Sequence, residues 1–116
     1  MSTRANIIIT DSYGDNKLIF YRHSDGYPEG TMPTLEKFLD LVKEKKIRDN
    51  VEQAAGWLII IGHAEYNTLE NIYPEDLKDL FDWKVGAYEP SIHIHGDIEW
   101  LYTIDLSAKT IKQEKV

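Results

Sequence analysis

The sequence predicts a single α+β domain, in which a mostly antiparallel sheet is covered on one face by helices, and three observations lead there. β-rich runs stand near both ends of the chain, helical periodicity fills its middle, and 116 residues suffice for one core but not for two. The predicted order is ββαααβββ over residues 1–116, with both termini entering the sheet.

Each element has its own signal. Ile7 to Ile9 is a β-branched run and Lys17 to Tyr21 a second, with the turn residues Tyr13-Gly14-Asp15-Asn16 between them, which predicts an opening hairpin. Asp25-Gly26, Tyr27-Pro28, Gly30 and Pro33 then interrupt every period, so a structured loop is expected. Thr34 can cap a helix whose apolar residues Leu35, Phe38, Leu39 and Val42 follow the i, i+3, i+4, i+7 spacing, with Lys43, Lys45 and Lys46 suiting its C-terminal end. Asp49-Asn50-Val51-Glu52 has the form of a capping box. It opens a second helix through Ala54, Ala55 and Leu58 toward Ala64. Trp57 to Ile61 has strand propensity too, but the cap and the alanines favour a buried helix with Trp57 in the core. A third, short helix should start near Pro74 and end by Asp82, with Leu77, Leu80 and Phe81 as its buried stripe. Trp83 to Tyr88 reads as a strand ended by Pro90, and Ile98 to Ile104 as another, with Ile98, Trp100, Tyr102 and Ile104 on one face. Thr110 to Val116 closes the chain as an edge strand kept soluble by Lys112, Glu114 and Lys115.

Composition narrows the function. A net charge of -7 repels a phosphate backbone, so direct nucleic-acid binding is not expected. The acidity is C-terminal: Glu65 to Asp105 holds ten acids against only Lys78 and Lys84, so a partner met there should be positively charged. Without cysteine there are no disulfides, no cysteine-ligated zinc, no iron-sulfur cluster and no thiol catalysis, which suits the reducing cytoplasm. The apolar stretch near the start, Ile7 to Ile9, is far short of a signal core or a bilayer span, so neither export nor a membrane partner is expected. The phosphate-cradling, dinucleotide, nucleophile-elbow and zinc-protease motifs are all missing, which lowers the expectation of an enzyme; no cofactor is implied.

Two segments are richer in polar and aromatic groups than folding alone needs. In Tyr21-Arg22-His23-Ser24-Asp25-Gly26-Tyr27-Pro28 a strand runs into a loop. Arg22 could clamp phosphate or carboxylate, His23 exchange a proton, Asp25 accept hydrogen bonds and Tyr27 stack on a ring. The same residues also serve ordinary turn chemistry. In His93-Ile94-His95-Gly96-Asp97, alternation along an extended backbone would put both imidazoles, and with them the carboxylate, on one side. His93, His95 and Asp97 are therefore an alternative divalent-metal set, which His23 or Asp25 could complete to activate water.

The segment His23-Ser24-Asp25-Gly26-Tyr27-Pro28 resembles that of short, uncharacterised bacterial and phage-type proteins in which a strand ends in His-x-Asp-Gly-Tyr-Pro, with Ser24 where tryptophan is more usual. The resemblance implies a compact accessory protein of bacterial or mobile-element origin and favours a host-factor antagonist. The leading expectation is a non-enzymatic binding module that recognises a protein or a small nucleotide-like ligand through residues 22–30, with 89–97 beside them. The alternatives are a small metal-dependent hydrolase built on His93, His95 and Asp97, and a structural homodimer paired through its last strand.

Overall fold

The computed structural model describes residues 3–11, 16–67 and 87–116. Within them β1 (Ala5–Thr10), β2 (Lys17–Arg22), α1 (Pro28–Lys43), α2 (Val51–Asn67), β3 (Glu89–Ser91), β4 (Trp100–Asp105) and β5 (Thr110–Lys115) follow one another along the chain. The strands form one sheet in the order β3-β2-β1-β4-β5. It is mixed: the central β1–β4 pair is parallel and the other pairs are antiparallel. The β1–β2 and β4–β5 hairpins account for two of the antiparallel pairs, whereas β3 and β4 both follow the helices and run in the same direction as β1, which makes β3 antiparallel to β2 and β4 parallel to β1.

Side-chain alternation sorts the sheet into two faces. Ile7 lies opposite Phe20 and Tyr102, and Ile9 opposite Leu18 and Ile104. Ala5, Ile7, Ile9, Phe20, Tyr102 and Ile104 are buried against Leu35, Phe38, Leu39 and Val42 of α1 and Val51, Ala54, Ala55 and Leu58 of α2. The α+β architecture with helices packed on the sheet is thus as the sequence predicts. The opening hairpin, two central helices and a C-terminal edge strand are present, and α1 carries the stripe Leu35, Phe38, Leu39 and Val42 that periodicity picked out. Asn50 caps α2, its Oδ1 accepting the Gln53 amide at 3.0 Å.

Several elements differ from expectation. The predicted loop from Asp25 to Pro33 is helical from Pro28 onward, and Thr34 is a buried residue inside α1 instead of its cap. Pro28 fills the first helical position with its φ pre-set, and Glu29 complements the dipole. Pro33 is tolerated because it is solvent-exposed, as is Glu29 whose carbonyl loses its partner there. Trp57 is 43% exposed instead of central, since Leu58 and Ala54 hold the inner face of α2. Pro90 lies within β3 instead of ending a strand, which an edge position permits. Ile98 is buried but precedes β4, which begins at Trp100. The third helix predicted from Pro74 to Asp82, and the part of the predicted Trp83–Tyr88 strand before Ala87, lie outside the described residues; Ala87 and Tyr88 are not in a strand. Among the described residues no helix is long and apolar enough to cross a membrane.

Candidate functional site

The face of the sheet opposite the helices carries Asn6 beside Tyr21, Tyr21 beside Glu89, and Ile19 beside Ser91. Because β3 and β4 flank the β2–β1 pair on opposite sides, the connection between them has to cross the sheet, and its contacts with Asn6 and Tyr21 put residues 95–97 on this face. It is fastened there at several points. The His95 amide donates to Asn6 Oδ1 at 2.8 Å, while Asn6 Nδ2 donates to the Phe20 carbonyl at 2.8 Å, so a fully buried amide side chain links the crossing segment to β2. The Tyr21 hydroxyl donates to the Asp97 carboxylate at 2.8 and 3.0 Å, and Arg4 approaches the same carboxylate at 3.3 Å.

Aromatic stacking supplies the remaining contacts. The His95 ring lies on Tyr21 with centroids 3.9 Å apart and planes 28° apart, and His93 lies on His95 at 4.6 Å and 25°. His23 meets the edge of Tyr21 at 4.4 Å and its Nε2 lies 3.1 Å from Glu89 Oε2. The Ser91 hydroxyl lies 2.8 Å from the His93 carbonyl and 3.0 Å from His95 Nε2. Burial first, then the hydrogen bond to Asp97 and that residue's negative charge, push the Tyr21 phenol up to about 12.

The two polar segments read from the sequence meet, but only in part. His23 joins His93, His95 and Asp97 around Tyr21. Arg22 points to the helix face, opposite Ala5, and is 1% exposed. Its Nε donates to the Ser24 carbonyl at 2.8 Å and its Nη2 to the Gly30 carbonyl at 3.3 Å, with the guanidinium 5.0 Å from the centre of the Tyr88 ring. Asp25, at φ 57°, accepts Thr31 Oγ1 on its carbonyl at 2.8 Å, and the Tyr27 hydroxyl reaches Asp25 Oδ1 at 3.4 Å. Arg22, Asp25 and Tyr27 thereby shape the entry into α1. Gly26 is required in this loop because a Cβ would lie 2.9 Å from both Ala5 Cβ and the Thr3 carbonyl.

The metal-ligand set is not assembled. Nearly parallel stacked imidazoles do not aim their lone pairs at a common point, His95 Nε2 is engaged by the Ser91 hydroxyl, and Asp97 is occupied by Tyr21 and Arg4. Among the described residues no three His, Cys, Asp or Glu side chains are grouped to hold a metal ion. Compared with known proteins, the chain matches no family model, no curated protein and no solved structure.

Asn6, Ser91 and Glu89 have roles that the sequence did not assign, and Tyr21 was legible only as part of a polar segment. Asn6 had a signal: a lone amide entering a run of three isoleucines is costly to bury unless both ends of its side chain are bonded.

Proposed function

We propose that this protein is a non-enzymatic binding module that docks on a positively charged protein surface through the segment 89–97, with His23 as the contribution of the neighbouring loop. The observation that carries this reading is the exposure of Ile92 and Ile94, 96% and 42%, on a segment fastened from both sides. Side chains on a slack loop can fold inward, but here the Asn6 bond and the Tyr21–His95–His93 stack hold the backbone that displays them. Apolar groups ringed by polar ones mark contact sites. The rim carries Glu89, Asp97 and Glu99 against Arg4, an acidic balance that suits a basic partner and matches the acidity of the C-terminal half.

The nucleotide-binding version is the weaker one, because Arg22, its phosphate clamp, is buried and engaged with loop carbonyls. The bacterial or phage-type resemblance of the His23–Pro28 segment makes a host protein the natural partner, bound so as to antagonise it. Wild-type protein and an Ile92→Asp/Ile94→Asp variant, both immobilised, test the reading with a bacterial extract and mass spectrometry. The expected result is a basic protein released by salt from the wild type and retained at least about tenfold less by the variant. Equal retention on both, or a nucleotide carried through purification, would overturn it.

A further inference from the structure

β5 ends the sheet on the side away from β3, and nothing among the described residues pairs with its outer edge. The phase of its hydrogen bonds follows from one contact. The Val116 amide donates to the Glu99 carbonyl at 2.9 Å, so Val116, Glu114, Lys112 and Thr110 turn their backbone groups toward β4. Ile111, Gln113 and Lys115 therefore turn theirs outward. The other edge strand, β3, has three residues and includes Pro90, so it offers far less to a partner strand.

We infer that β5 pairs antiparallel with β5 of a second copy of this chain about a two-fold axis at Gln113, joining two five-stranded sheets into one. The outward phase of Ile111, Gln113 and Lys115 makes Gln113 face Gln113 and Ile111 face Lys115 as hydrogen-bonded pairs. Between them Lys112 falls opposite Glu114 of the second copy, twice by symmetry, at the closer non-hydrogen-bonded positions. Within one chain Lys112 Nζ already lies 3.0 Å from Glu114 Oε1, so the dimer would hold four alternating charges in a row. The neighbouring registers lack this match. An axis at Lys112 sets Lys112 against Lys112, and one at Glu114 sets Glu114 against Glu114. Charges on edge strands ordinarily prevent pairing. Here they select one register, and self-complementarity names the occupant.

The axis stands perpendicular to the sheet, so both open faces lie on the same side, with the 89–97 segments at the two far ends. Self-pairing does not depend on those segments binding anything.

Sedimentation velocity and light scattering over a concentration series provide the test, on the protein and three variants. The wild type should pass from 13.5 kDa to twice that mass, in the weak range expected of a small interface. Lys112→Glu should raise the dissociation constant at least about tenfold by setting like charges opposite each other, and Lys112→Glu/Glu114→Lys should restore it. Gln113→Pro should abolish pairing while sparing the bonds to β4, and circular dichroism would verify that each variant is folded. A wild type that stays monomeric at high concentration, or dimerisation indifferent to Lys112→Glu, would overturn the inference.

Discussion

Tyr21 is the residue on which the open face is organised. It gives its ring to His95 and His23 and its hydroxyl to Asp97, and it stays 2% exposed while doing so. Tyr102 does the comparable work on the helix face, donating to the Gly26 carbonyl at 2.7 Å, and burial pushes its phenol up to about 12 as well. An unfolded tyrosine ionises at 10.0, so between that pH and about 12 the unfolded chain has released protons that the folded chain still holds. The stability these neutral phenols contribute is fully present below pH 10.0 and is lost as the pH rises toward 12. Spectrophotometric titration should show both ionising late, Tyr21→Phe should remove one late equivalent, and the loss of stability in that interval should become shallower. A phenolate titration in which every tyrosine has its midpoint near pH 10.0 with the fold intact would contradict this. These roles were hard to read from sequence because they depend on contacts with residues far along the chain.

At the scale of elements, legibility followed locality. The capping sequence Asp49 to Glu52 and the stripe Leu35, Phe38, Leu39 and Val42 are local features; α1 carries the stripe, and α2 starts within the capping sequence with Asn50, one residue after Asp49, as its cap. The start of α1 was missed because glycine and proline normally break periodicity, whereas Pro28 here occupies the one helical position that suits it. The predicted strand alternation at His93 and His95 brought the imidazoles together for the wrong reason. They share a side because His95 stacks on Tyr21 and His93 on His95, so spacing suggested ligands where contact supplies anchors. Gly62 in α2 is another non-local requirement. A Cβ there would come within 2.5 Å of the Tyr88 ring and 3.1 Å of Ala87, so α2 can pass this close only without a side chain. Alanine is the better helix former, yet Gly62→Ala should destabilise the protein by about 1–3 kcal/mol through overpacking, measured by urea unfolding. A stabilised variant would contradict that packing.

For the whole molecule, the sheet divides the labour. One face builds the core with α1 and α2, while the other holds a crossing segment whose anchors are buried and whose isoleucines are not. Composition had already set the charge that such a surface would present, but not where the chain would display it. The proposed docking requires that segment to be held still against β1 and β2. The most direct measurement is hydrogen exchange at the His95 amide, in the wild type and in Asn6→Ala. The bond to Asn6 Oδ1 should slow its exchange far below that of an unstructured chain, and Asn6→Ala should release it while amides of β1 stay protected. A His95 amide that exchanges freely in the wild type would mean that the segment is not fastened to the sheet.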